Sequence, residues 1–212
     1  MKRIVLMLFA GAALILAGCS AVGTKNPVGT PVQEDLSAQF DGLWDFGDEN
    51  VGYVKYMGNG QLRIAGLEWK DNHFKLTEMN GTLTECGNNR FINIQDEDSD
   101  SNKELDYLFG YYKFVDDIYL TIWLPKKEVF EQAIIKGLLK GKVTSDKYGT
   151  SVFLTDSSEN ICLFLKKHKI EELFKLEDPM IYRRIRKIEM KGNAPAATNT
   201  SGTTACAKPP CP

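Results

Sequence analysis

Histidine is almost missing from this chain: His73 and His168 are the only two in 212 residues. They lie far apart, without the spacing of metal ligands, and neither His-Glu-x-x-His nor Cys-x-x-Cys occurs, so a zinc site has no sequence support. Also absent are a Gly-x-Ser-x-Gly elbow or other triad signature and a Gly-x-x-x-x-Gly-Lys-Ser/Thr phosphate loop. Neither sign of charge is in excess: 26 Lys and Arg face 28 Asp and Glu, a formal net charge of −2. Nucleic-acid recognition calls for a basic footprint, which this balance does not provide. The acidic run Asp96-Glu97-Asp98-Ser99-Asp100-Ser101-Asn102 fails as a calcium loop. Counted from Asp96, the sixth position is Ser101 where the loop needs Gly, and the twelfth is Tyr107 where it needs Glu. The run reads as a solvated hairpin loop. No catalytic residue, metal or cofactor is assigned.

What the chain has is a distinctive beginning. Met1-Lys2-Arg3 is followed by uncharged, apolar residues 4–17, a run within the ~7–15 residues of a signal-peptide core and short of the ~20 that span a bilayer. It ends in Leu16-Ala17-Gly18-Cys19. This tetrapeptide resembles the lipobox of bacterial lipoproteins. The resemblance implies cleavage before Cys19, a thioether-linked diacylglycerol on Cys19 with its palmitate-type acyl chains, and residence in the cell envelope. In such lipoproteins an Asp after the cysteine tends to mark inner-membrane retention, so Ser20 points to the outer membrane. Removal of residues 1–18 takes Lys2 and Arg3 and leaves a net charge of −4. No second apolar run approaches spanning length.

Composition divides the remainder. Residues 19–39 are rich in Gly, Thr, Pro, Ala and Ser without a hydrophobic period, and read as a lipidated N-terminus and flexible tether. Residues 40–190 suit a single β-rich domain, and residues 191–212 a low-complexity, disordered tail. Besides Cys19 the chain holds Cys86, Cys162, Cys206 and Cys211. Four cysteines in an exported protein permit disulfides in three connectivities. Cys206 and Cys211 are neighbours in the tail and Cys86 and Cys162 share the domain, while Cys162 also fits a buried free thiol.

Within the domain the pattern is mainly β. Short strands are predicted at 42–46, 53–57, 62–67, 73–79, 82–85 and 91–95, with Gly58-Asn59-Gly60 as a hairpin turn. The strongest strands are 105–115 and 118–124. In the latter, Ile118, Leu120, Ile122 and Leu124 share one face and Tyr119, Thr121 and Trp123 the other. Apolar groups on both faces predict a strand buried on both sides, or a barrel strand covered by a helix. Two short helices are predicted, at 126–139 and after Asp156, with Asp156 and Glu159 as a capping box. A strand pair at 142–144 and 151–155 lies between them, and a strand at 181–188 ends the domain. The expected architecture is an antiparallel barrel or sandwich. Gly42-Leu43-Trp44 on the first strand resembles the opening Gly-x-Trp of lipocalin-like barrels, which implies a barrel enclosing a ligand pocket. The two late helices depart from a simple eight-stranded barrel. From Phe91-Ile92-Asn93 through Gly137-Leu138-Leu139-Lys140-Gly141 to Leu154-Thr155-Asp156-Ser157 the chain is also similar to uncharacterised envelope lipoproteins, which implies a shared fold and no known activity.

The candidate surfaces are two basic stretches and one aromatic set. Lys166-Lys167-His168-Lys169 reads as a charged helix end, and Arg183-Arg184-Ile185-Arg186-Lys187 as a charged edge strand, with contact to anionic lipid headgroups or an acidic partner as the alternative for both. Trp44, Tyr53, Tyr56, Tyr111, Tyr112, Tyr119 and Trp123 either fill a β core or line an apolar cavity. The leading expectation is therefore a non-enzymatic, lipid-anchored envelope protein whose domain binds an envelope protein partner or serves structurally. The alternatives are a lipocalin-like carrier of a small apolar ligand and a hydrolase with an unrecognised site. The anchor is directly testable. Cys19→Ala is expected to abolish incorporation of radiolabelled fatty acid and to remove the protein from the detergent phase, and unchanged partitioning would sink the lipoprotein reading.

Overall fold

A computed structural model describes residues 22–47, 50–70, 72–96, 107–146 and 149–186. Cys19, Cys206, Cys211, the expected signal segment 1–18 and the expected tail 191–212 lie outside the described residues, as does the acidic run after Asp96. The described chain is mainly β, and its centre is a closed, antiparallel, lipocalin-like barrel of eight strands.

The barrel strands are β3 (Gly42–Gly47), β4 (Asn50–Gly58), β5 (Gln61–Lys70), β6 (His73–Cys86), β7 (Asn89–Asp96), β8 (Tyr107–Val115), β9 (Tyr119–Trp123) and β12 (Met180–Arg186). Each pairs with its sequence neighbour, and β12 closes the ring by pairing with both β9 and β3. The turns follow local chemistry. Asn59 (φ 49°) and Gly60 (φ 73°) join β4 to β5, two successive positive φ values that match the right-handed strand twist of a tight hairpin. Asp116 (φ 59°) begins the β8–β9 turn. Instead of the two strands expected at 73–79 and 82–85, β6 is one strand running through Asn80-Gly81. It continues because Gly81 faces inward, where a Cβ would stand 3.2 Å from the Leu62 side chain, and pairing with β5 persists on both sides of it.

Outside the barrel, β1 (Val22–Thr24), β10 (Gly141–Asp146) and β11 (Gly149–Leu154) extend the sheet from β8. On one edge β8 forks: Tyr107 and Leu108 pair with β1, and residues from Tyr111 onward pair with β9. The short β2 (Thr30–Pro31) adds to β6. Four helices occur among the described residues where two were expected: α1 (Ser37–Phe40), α2 (Lys127–Ile135), α3 (Ser158–Lys166) and α4 (Ile170–Leu173). The two additions are single turns, too short to show a hydrophobic period. The cap of α3 is Ser157, whose hydroxyl accepts from the Asn160 N–H at 3.2 Å. Asp156 lies one residue earlier and accepts from the Lys140, Ser157 and Asn160 nitrogens, with the Asn160 amide foremost in holding its carboxyl below the usual range.

The expected tether is corrected. Residues 22–39 pack against the barrel: Val22, Val28, Val32 and Leu36 are all buried. These apolar residues stand singly among polar ones in a segment that becomes helical only at Ser37, so no periodicity announces them. Their backbone partners come from distant strands. Asn93, wholly buried on β7, accepts from the Val28 N–H at 2.7 Å, and Thr84 donates to the Val28 carbonyl. The Val32 N–H donates to Leu83 at 3.0 Å. Residues 22–39 thus belong to the folded domain that was expected to start at residue 40.

Two cores lie on opposite faces of one wall. Inside the barrel are Leu36, Phe40, Trp44, Val54, Leu62, Leu83, Ile92, Tyr112, Leu120 and Ile122. Outside, Phe91, Phe109, Tyr111, Phe130, Phe164 and Phe174 meet under α2, α3 and β11. Alternation along β7 and β8 supplies both, with even-numbered residues inward and odd-numbered residues outward. A disulfide from Cys86, the last residue of β6, to Cys162 on α3 fastens the outer layer to the wall, with Cα atoms 5.6 Å apart. It closes a long loop, so Cys86→Ser combined with Cys162→Ser is expected to lower unfolding free energy by about 2–5 kcal/mol, read from urea denaturation of oxidised wild type against the variant.

Candidate functional site

The two ends of the barrel differ. At the end reached by the β4–β5 and β8–β9 turns, the interior is filled. The Phe40 ring packs edge-on to Tyr112 and Phe114, with centroids 5.8 and 5.1 Å away. Trp44 lies beside Phe114, and its Nε1–H donates to the Phe40 carbonyl at 2.9 Å. Asp41 receives the Tyr56 N–H at 2.6 Å and the Lys55 ammonium at 2.5 Å. Burial pushes the Tyr112 phenol up to about 12, with the Arg90 guanidinium acting in the opposite direction.

Arg184 locks this end. The expectation of a charged edge strand at 183–187 is corrected, because β12 pairs on both sides and places Arg184 inward, 9% exposed. Its guanidinium carbon stands 5.6 Å from the centre of the Trp44 ring. Nη1 donates to the Ala38 carbonyl at 2.9 Å, and Nη2 donates to the Asp117 carbonyl. Its backbone N–H donates to Ile118 at 2.8 Å. One residue thus joins α1, β3, the β8–β9 turn and the last barrel strand. Arg183, pointing outward, pairs with Asp45 at 3.2 Å.

Toward the other end the interior is hollow. A cavity of about 380 Å³ is lined by side chains from every barrel strand, chiefly Phe46, Val54, Ile64, Met79, Ile94 and Met180. Inward-facing Gly52 and Gly110 shape it. A Cβ on Gly52 would stand 2.6 Å from the Phe46 ring, and one on Gly110 would stand 2.6 Å from Ile122. Lacking side chains, these positions let their neighbours lie against the wall. Among the described lining residues only Asn50 and Tyr182 bring a hydrogen-bonding group well placed on the inward face, apart from the indole N–H of Trp44, which is already engaged. Tyr182 packs edge-on to Phe46 with centroids 5.2 Å apart, and burial pushes its phenol up to about 12. Such a surface offers apolar contact with a few directional polar groups, the usual make-up of a small-molecule site.

The residues singled out from sequence divide among several places. Of the seven aromatics, Trp44 lines the cavity and Tyr53 is half-buried on the outer face of β4. Tyr56 and Tyr112 fill the closed end, Tyr111 and Trp123 stack at 5.4 Å in the outer core, and Tyr119 is exposed. His73 starts β6, and His168 follows α3 with Nδ1 at 2.9 Å from the Phe164 carbonyl. No cluster of His, Cys, Asp or Glu with metal-binding geometry occurs among the described residues. The cavity residues that sequence reasoning missed are Asn50 and Tyr182. Inward alternation on β4 and β12 could have placed them, had the strand ends been known.

The chain matches no protein-family model, no curated protein and no solved structure. Its barrel is therefore interpreted from its own geometry. Arg184→Met, which orphans two carbonyls and removes the cation from Trp44, is expected to cost about 2–4 kcal/mol in urea unfolding. Arg184→Lys should recover only part of that loss, since an ammonium lacks the planar fork that reaches both carbonyls.

Proposed function

We propose that this protein is an envelope-anchored carrier that holds a small, largely apolar ligand inside its barrel. The observation that carries the reading is the apolar cavity of about 380 Å³ within the barrel, a volume in the range typical of small-molecule sites, ~300–1,000 Å³. The hollow lumen moves the carrier reading ahead of a purely structural or partner-binding role.

The anchor belongs to the same proposal. Only Cys19, Ser20 and Ala21 separate the proposed lipid from β1. At ~3.3–3.6 Å per residue these three reach about 10 Å, so a lipidated Cys19 holds the domain against the membrane surface. Two acyl chains suffice for firm attachment. A ligand with low water solubility then has a short path between bilayer and barrel.

A partner-binding role retains one supporting observation. On the outer face of β5 and β6, Leu67 and Leu76 are cross-strand neighbours and both exposed, with Phe74 exposed on the same face. Exposed apolar clusters of this kind mark contact surfaces.

Native mass spectrometry and solvent extraction of the purified protein are expected to find a bound apolar molecule. Pyrene, a hydrocarbon probe, is expected to bind with saturation. Val54→Trp combined with Ile94→Phe should narrow the lumen and weaken pyrene binding at least tenfold while leaving the far-ultraviolet circular dichroism unchanged. No co-purified molecule and no saturable pyrene binding would overturn the carrier reading and leave the exposed β5–β6 face as the better guide to function.

A further inference from the structure

We infer that the barrel selects an uncharged ligand, an apolar body carrying one hydroxyl or carbonyl group that is received by Asn50 and Tyr182. This inference rests on the carrier reading and specifies its ligand. Asn50 is buried, 8% exposed, opens β4 opposite Gly47, and its side-chain amide makes no hydrogen bond to another described residue. Tyr182 contacts Phe46, the residue before Gly47, so both polar groups belong to the same end of the lumen. Among the described residues the Tyr182 hydroxyl has only the Met180 thioether as acceptor, at 3.5 Å. Sulfur is a weak acceptor, which leaves a strong O–H donor free to turn to a ligand oxygen. Asn50 adds both a donor and an acceptor, so the pair satisfies a hydroxyl completely and a carbonyl by donation.

The same lining disfavours an anion. None of the described lining side chains carries a charge at neutral pH, and the Tyr182 phenol, pushed up to about 12, remains a neutral donor. Arg184 packs on Trp44, but its Nη1 and Nη2 are directed to the Ala38 and Asp117 carbonyls. An ionised carboxylate entering this lumen would lose its water without gaining a counter-charge. A neutral alcohol or ester loses much less and finds both partners waiting.

The test uses the chain from Ser20 onward, which holds every described residue and needs no detergent. Pyrene reports occupancy, and 1-dodecanol and dodecanoate compete for it at pH 8. The expected result is displacement by 1-dodecanol with a Kd at least tenfold below that of dodecanoate. Asn50→Leu combined with Tyr182→Phe should raise the dodecanol Kd about five- to tenfold and leave the pyrene Kd within twofold, which also certifies that the variant is folded. Equal or stronger binding of dodecanoate, or a dodecanol Kd unmoved by the double variant, overturns the inference while the carrier reading stands. Failure of wild type to bind pyrene overturns both.

Discussion

The contact between Arg184 and Trp44 is the constraint on which the barrel depends. A sheet becomes a barrel only if its last strand finds its first, and here that seam lies between β12 and β3. Hydrogen bonds along the seam fix the strands, but they do not hold the closed end against the opening tendency of a twisted ribbon. Arg184 does so by reaching across the seam to the Trp44 ring, to α1 through Ala38 and to the β8–β9 turn through Asp117. A guanidinium suits the task because its planar fork serves two carbonyls in different directions while its face lies on an indole. Once this end is fixed, Phe40, Tyr112 and Phe114 pack as a plug, and the lumen beyond them is hollow.

The N-terminal segment and the outer layer reinforce the wall from outside. Val28 is held by Asn93 and Thr84, both wholly buried and both satisfied within one small network. Ser158 at the start of α3 exchanges hydrogen bonds with Gly29, at 2.9 Å in each direction. The Cys86–Cys162 disulfide adds a covalent link nearby. Buried polar networks of this kind are costly when incomplete and restrictive when complete. They make β6 and β7 a rigid partition between the aromatic outer core and the lumen.

Much of the fold was legible because its signals were local. Leu120 and Ile122 face the lumen while Trp123 joins the outer core, as the two-sided apolar pattern of that strand required. Asn59 and Gly60 make the turn that their tolerance for positive φ implies. The failures share a different cause. Val22, Val28, Val32 and Leu36 are buried singly by partners dozens of residues away, so composition made them look like a tether. Arg184 looked like surface charge because its partners are backbone carbonyls, which carry no sequence signature. Asn50 and Tyr182 acquire meaning only when closure brings β4 and β12 around one lumen. Closure is a property of eight strands together, and no window of the sequence contains it.

The hollow itself bears on stability. Eight strands give an interior that side chains can fill or that can hold one small ligand. Larger residues at Val54 or Ile94 would narrow it. A hollow lumen forgoes the packing contacts that its lining would make in a filled barrel. The second core outside β7 and β8 adds apolar burial on the other face of the same wall. The aromatic layer under α2 and α3 thus stabilises a wall whose inner face is left underpacked. The two late helices, which depart from a plain eight-stranded barrel, belong to that arrangement. They supply burial on the outside, so that the wall holds although its inside is hollow.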